Sequence, residues 1–254
     1  MILPSGGTLK KLVCILLALI LCASILIINC AHASTSATGI INSDTTWDTA
    51  HGPYQLTGPV LIQTNVTLTI MPGVTVDFAG YYIEVNGTLI AEGTSNNKID
   101  FTSSVNSAKS QNYPFQVISF DPAGSGTISN AQFNIISVFI SGGSPTISYN
   151  TFNNPGTTTI DIFDSSPTVS NNVVNSGSTG VNGIVAHSNP TVSNNTVIGG
   201  MYGIYATGSA NLYNNTVIGG EISVSIALQV NFVGNTVMDG TGVSSSTSRV
   251  IQRN

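Results

Sequence analysis

The sequence predicts an all-β chain wound as a right-handed parallel β-helix, a solenoid whose coils repeat about every 19–23 positions, as stacked-repeat architectures do. Three observations predict it. A short motif recurs at that period and ends each time in Asn. Brief alternating apolar runs are separated by Gly and Asn turns. The charged fraction is only 7% while 41% of residues are hydrophobic, against about 25% charged residues in an ordinary soluble domain. Disorder needs the opposite balance, low hydrophobicity with high net charge. The chain therefore folds, and Ser, Thr, Asn and Gly keep its surface wet.

The repeat is plainest from Pro145 onward. Pro145-Thr146-Ile147-Ser148-Tyr149-Asn150 is followed by Pro167-Thr168-Val169-Ser170-Asn171-Asn172 and Pro190-Thr191-Val192-Ser193-Asn194-Asn195. Weaker copies end at Asn215 and Asn235, and a degenerate one runs from Gly126 to Ala131. The terminal Asn residues are spaced by 22, 23, 20 and 20 positions. Each copy continues into a short apolar stretch, as in Thr196-Val197-Ile198-Gly199-Gly200, and then into a second one, as in Gly203-Ile204-Tyr205-Ala206. Such strands are too short to stand as isolated hairpins. Stacked in register at about 4.8 Å per coil, they share one apolar interior. Identical amides at that spacing bond up and down the stack. Asn150, Asn172, Asn195, Asn215, Asn235 and Asn254 are accordingly read as a structural ladder at an inward corner.

The N-terminal half carries runs with a period of two, such as Thr67-Leu68-Thr69-Ile70, Val74-Thr75-Val76-Asp77-Phe78 and Thr88-Leu89-Ile90-Ala91. Pro72-Gly73, Asn86-Gly87 and Glu92-Gly93 punctuate them, which argues for strands rather than helix. Trp47, Pro53 and Tyr54 precede the first run and are read as part of a cap, because a solenoid end exposes core and unpaired backbone. The expected organisation is a leader over 1–33, a cap over 34–57 and a β-helix over 58–254. In the leader, Lys10 and Lys11 precede an uncharged run from Leu12 to Ile28, and Ala31-His32-Ala33 has the small-x-small pattern of a cleavage site. That run also just reaches the lower limit for crossing a bilayer, about 17 residues. An uncleaved anchor is therefore the second reading, and the only route to a membrane. Either places the body outside the cytoplasm, secreted or at the cell surface. At the other end, Ser248–Asn254 aligns with the start of a coil, and Asn254 takes the place that Asn235 holds one coil earlier. The expectation is a fragment or an open-ended solenoid, continued by further coils or another domain.

Trp47…Gly52-Pro53-Tyr54…Gly58-Pro59-Val60, Leu68-Thr69-Ile70-Met71-Pro72-Gly73-Val74, Val85-Asn86-Gly87-Thr88-Leu89-Ile90-Ala91-Glu92-Gly93-Thr94 and Ile99-Asp100-Phe101-Thr102-Ser103 resemble the opening coils of extracellular right-handed β-helix proteins. Many of these stand on archaeal and bacterial surfaces. The Pro-Thr-Val-Ser-Asn-Asn coils resemble the pectin-lyase-like and NosD-like superfamily of carbohydrate-binding proteins and sugar hydrolases. That resemblance spans nearly the whole chain beyond the leader. It implies a fold; activity has to be argued from a site.

Composition excludes several functions. All three cysteines, Cys14, Cys22 and Cys30, lie in the leader, so the body has no disulfide framework or thiolate metal site. Beyond the leader four Lys and Arg stand against eleven Asp and Glu, 4 − 11 = −7, which is ill suited to neutralising phosphates. Nucleic acid is not an expected partner. No Lys or Arg occurs between Lys109 and Arg249. The regular coils therefore lack both the base and the cation that a lyase of this fold needs to hold an acidic sugar. A hydrolase needs two carboxyls about 5–9.5 Å apart, and the galacturonase motifs are absent. Asp161 and Asp164 are the nearest carboxyl pair in the coils and read as one solvated surface. No cofactor motif is present, and a copper site suggested by the resemblance finds only two His and no Cys beyond the leader.

Aligning Asp164-Ser165-Ser166-Pro167 with His187-Ser188-Asn189-Pro190 puts Asp164 and His187 on neighbouring coils, as an acid/base pair or as plain neighbours; a lone pair supplies too few ligands for zinc. Tyr202 and Tyr205 are candidate ligand-stacking residues, with Tyr82, Tyr113 and Tyr213 as further aromatics. Asn65, Asn86, Asn194 and Asn214 lie in glycosylation sequons. Three functional readings stand open: a non-catalytic module for surface or glycan recognition and scaffolding, a polysaccharide lyase or hydrolase whose active loops are missing, and a purely structural surface-layer element. Polysaccharides or cell-surface glycans are the expected partners. N-terminal sequencing of the exported protein is expected to start at Ser34; a chain still beginning at Met1 selects the anchor.

Overall fold

Each recurrent motif forms a three-residue strand because its middle residue is apolar and β-prone or aliphatic while its neighbours are polar and point out. Ile147, Val169, Val192 and Leu212 are fully buried at the centres of Thr146–Ser148, Thr168–Ser170, Thr191–Ser193 and Asn211–Tyr213. The computed structural model describes residues 33–105, 116–153, 158–177, 181–219, 221–225, 230–240, 242–245 and 251–253. Every described strand pairing is parallel, and strands recur in the same order from coil to coil. The described residues between Thr35 and Arg253 form a parallel β-helix.

A coil presents three faces in chain order. The first is a ten-stranded sheet that includes Thr45–Trp47, Thr67–Ile70, Thr88–Glu92 and the motif strands. The second includes Ala131–Asn134, Thr151–Asn153, Val173–Asn175 and Thr196–Ile198. The third includes Val117–Phe120, Ser137–Ser141, Ile160–Phe163, Ile184–Ala186 and Ile204–Thr207. Faces two and three are joined near the N-terminus because Tyr54–Ile62 runs through both. Its start pairs with Thr75–Asp77 and its end with Ile83–Val85. The segment read as a cap contains two strands of this same pattern. Thr35–Ile41 pairs in parallel with Tyr54–Ile62, and Thr45–Trp47 with Thr67–Ile70. Trp47 and Tyr54, both buried, stack with ring centroids 4.7 Å apart at this first turn of the core.

The interior is a set of in-register columns. Ile128, Ile147, Val169, Val192, Leu212 and Phe232 follow one another along the first face. Phe101, Phe133, Phe152, Val174 and Val197 do so along the second. Phe133 and Phe152 stack at 4.3 Å and Phe101 lies 4.9 Å from Phe133, so adjacent coils are held by aromatic contact as well as by backbone bonds. The path is tight in places. A Cβ on Gly126 would sit 1.9 Å from the Leu89 carbonyl oxygen, and its φ of +132° suits glycine alone.

The corner from the first to the second face is built from two residues. Asn130, Tyr149, Asn171, Asn194 and Asn214 have φ between 48° and 58°, and Gly234 completes the row at 67°. Asn tolerates this left-handed backbone better than other non-glycine residues. The next residue turns inward. Asn150, Asn172, Asn195 and Asn215 are at most 1% exposed, and their amides form one chain of hydrogen bonds. The Nδ2 groups donate to the Oδ1 of the following coil at 3.1, 2.9, 3.0 and 2.8 Å, the last bond reaching Asn235. The same Oδ1 atoms accept the backbone N–H of the preceding rung at 2.9–3.0 Å. The remaining Nδ2 hydrogens reach carbonyls, Asn172 to Ile147, Asn195 to Val169 and Asn215 to Val192. Each interior rung thus uses two donors and two acceptor sites, the full capacity of an amide. Asn254 lies outside the described residues.

A second amide series, not anticipated from the motif, runs on the outer side of the second face. Asn175 donates to Asn153, Asn153 to Asn134 and Asn134 to Asp100, at 3.0, 3.0 and 2.9 Å.

Replacing Asn195 by Ala strands donors on Asn172 and an acceptor on Asn215, all buried. We expect a loss of about 3–5 kcal/mol in urea unfolding. Asn194→Gly, at the neighbouring position, is expected to stay within about 0.5 kcal/mol of wild type, because its role is a backbone angle.

Candidate functional site

The outer side of the third face differs from the rest of the surface because the alternation there places aromatic and ionisable residues outward. Register aligns Glu84, Ser119, Phe139, Asp161, Val185 and Tyr205 in one outward column. Ser141 and Phe163 begin a parallel column, which continues through His187. Phe139 lies 5.7 Å from Phe163, and Phe163 stacks on His187 at 4.5 Å with 29° between the rings. Tyr205, 6.0 Å from His187, is turned by 78° and does not continue that stack. Tyr202 lies beside Tyr205 at 5.3 Å, tilted by 31°. Five rings from four coils therefore make one half-buried strip, which ends in a tyrosine pair oriented differently from the stack.

Asp161 sits inside this strip. Its own strand places Phe163 two residues on, on the same side, and Phe139 and Val185 flank it on adjacent coils. Its Oδ1 is buried and has no hydrogen-bond partner among the described residues. Burial pushes its carboxyl up to about 6, and a hydrogen bond from the backbone of Ile162 only partly offsets this. The reading of Asp161 and Asp164 as one solvated surface therefore separates: Asp164 is exposed and Asp161 is not.

His187 and Asp164 stand on neighbouring coils, one residue out of register. Ile162 pairs with Ala186, which carries Phe163 onto His187 and leaves Asp164 a step beyond, in a left-handed turn. The two form no ion pair among the described residues; the His187 ring instead makes a 2.5 Å hydrogen bond through Nδ1 to the Thr207 hydroxyl. Burial lowers the His187 pKa, and the charge of Asp164 opposes that only in part.

Of the other aromatics, Tyr82 is 5% exposed and presents no ring face. Tyr213 lies on the first face and donates its hydroxyl to Asn211 at 3.3 Å. Tyr113 lies outside the described residues. Asn65, Asn194 and Asn214 are exposed in left-handed turns, whereas Asn86 is half-buried and donates to Glu84 at 3.1 Å.

One close carboxyl pair has no trace in the local sequence. Glu84 and Asp121 come from successive coils and act on one another electrostatically. Burial, then the Asp121 charge, raises the Glu84 pKa. Ser119 donates to Asp121 at 3.1 Å. Among the described residues no group of three or more His, Cys, Asp or Glu is placed to hold a metal ion, and no helix is long and apolar enough to cross a membrane.

Compared with known proteins, the chain matches no family model, no curated protein and no solved structure. Function has to be read from the fold and the strip.

The raised Asp161 pKa fixes a sign. Between the ordinary carboxylate value and about 6, the folded chain holds a proton that the unfolded chain has released. Stability from this residue is full below the unfolded pKa and falls as pH rises through about 6. Asp161→Asn is therefore expected to stabilise the protein at pH 7 by about 1–2 kcal/mol, allowing for the solvent that still screens the group. The gain should vanish near pH 4, as thermal melts across that range would show.

Proposed function

We propose that this chain is a non-catalytic recognition module, secreted or at the cell surface, that binds glycans along the third face of its β-helix. A place in the pectin-lyase-like or NosD-like superfamily belongs to the same reading, on the strength of the sequence resemblance. The observation that carries it is the strip Phe139, Phe163, His187, Tyr205 and Tyr202. A polymer laid along the coil axis meets a new side chain about every 4.8 Å. The rings supply apolar contact, while the Thr207 hydroxyl and the Asp161 carboxylate supply polar partners. Tyrosine suits such a surface because one end is apolar and the other hydrogen-bonds.

The non-catalytic part of the reading rests on what the sequence lacks: the carboxyl motifs of the galacturonases are absent. A lyase base is missing from the regular coils, which hold no Lys or Arg.

Incubation with a panel of neutral, acidic and amino polysaccharides, recording both retention and product release, tests the reading. Retention without products is expected. Tyr205→Ala should weaken retention about three- to tenfold, with the far-ultraviolet spectrum unchanged. Release of reducing ends or unsaturated uronates would overturn the non-catalytic reading; absence of retention on every polymer would overturn glycan recognition.

A further inference from the structure

We propose that the part of the strip around Asp161, between Phe139 and Phe163, recognises a cationic group, and that the glycan it selects carries protonated or quaternary amines. This rests on the glycan reading above and names its ligand class.

The first support is an incomplete set of partners. Asp161 is flanked by an aromatic ring on one coil and Val185 on the other, and its buried Oδ1 has no donor among the described residues. Buried polar atoms are nearly always paired, and an exception needs a reason. The ordinary partner for a carboxylate is Lys or Arg, and none occurs from residue 110 to residue 248. Among the described residues, the groups packed against Asp161 do not supply the charge. Ser137–Ser141 on one side has no titratable side chain. On the other side His187 bonds to Thr207 and stacks on Phe163, where burial disfavours its protonated form. On its own strand's end Asp164 is another acid.

The second support is the ring chemistry. Phe139 and Phe163 border the carboxylate, and aromatic faces attract cations most strongly where water is partly excluded. A carboxylate and aromatic rings together form a site in which both kinds of group favour positive charge. A neutral sugar offers Asp161 a hydroxyl and leaves its charge uncompensated. A uronate brings a second negative charge to a body of net charge −7 and is disfavoured. Of the common saccharide classes, only one with amines fits both groups. The elevated carboxyl pKa, about 6, adds a pH signature: a bound cation favours the ionised form, so acid should compete with it.

The test is calorimetric titration of the intact chain with two hexasaccharides of the same backbone. One is fully N-acetylated and neutral; the other is fully N-trimethylated, so its charge does not change with pH. At pH 7.5 the cationic oligomer is expected to bind about tenfold tighter. That advantage should shrink as pH falls through about 6, and Asp161→Asn should abolish it, so that the folded variant binds the two oligomers with equal affinity. The wild-type pH series needs no variant and stands if the substitution misfolds. Equal affinity for the two oligomers at every pH overturns the inference and leaves the glycan reading intact. A cationic advantage that persists in folded Asp161→Asn assigns it to overall charge and also overturns the inference. Binding of neither oligomer overturns it too; only failure on the wider polysaccharide panel would remove the glycan reading with it.

Discussion

The hydrogen-bonded chain of buried amides at the first corner is the constraint from which the rest of this fold follows. A three-residue strand contributes too few backbone bonds to choose its own neighbour, and a one-residue slip would turn Ile147 or Val192 out to water. The amides remove that freedom. An Asn side chain inside an apolar interior is costly unless its donors and acceptors are met, and here each is met only when successive coils stand in one register. The apolar columns supply the driving force for burial. The ladder decides which burial is allowed.

This division of labour frees the outer surfaces. Parallel stacking needs inward positions to be apolar and corner positions to turn; it sets little requirement on what points outward. The first face uses that freedom for hydroxyls, Thr146, Thr168 and Thr191 beside Ser148, Ser170 and Ser193. The second uses it for a row of amides ending on Asp100. The third carries rings and carboxyls, and there burial and charge conflict. Asp161 and His187 are both held where their charged forms are disfavoured, as is common where a surface is shaped for a ligand rather than for stability alone.

Much of the architecture was legible because it is periodic. The recurrent Asn, the apolar residue three positions before it and the turn residue beside it each have a local cause that repeats. The strip was less legible because coil lengths vary around the circumference. The step from Ile162 to Ala186 along the third face is longer by one position than the step from Thr168 to Thr191 along the first. Alignment on the Pro-Thr-Val-Ser motif therefore places Asp164 level with His187, when Phe163 is the residue that meets it. Glu84 and Asp121 are separated in the chain by far more than one coil period, although their strands are neighbours. The outer amide row is hidden for another reason: Asn153 and Asn175 follow phenylalanine and valine in ordinary short strands, and only stacking gives their amides partners.

The ladder also has a direction. The rungs from Asn150 to Asn215 each donate an Nδ2 hydrogen to the following coil, and Asn172, Asn195 and Asn215 turn their Oδ1 toward the preceding one, so each interior rung offers its neighbours the same two surfaces. Coils become interchangeable units: one can be duplicated or excised without leaving an unmatched amide, provided the cut falls at equivalent rungs. Small differences in coil length are taken up at the other corners. Such a molecule can change its length in steps of about 4.8 Å while its cross-section stays constant, which gives a lineage a ruler-like way to vary how many coils of outward-facing side chains it displays.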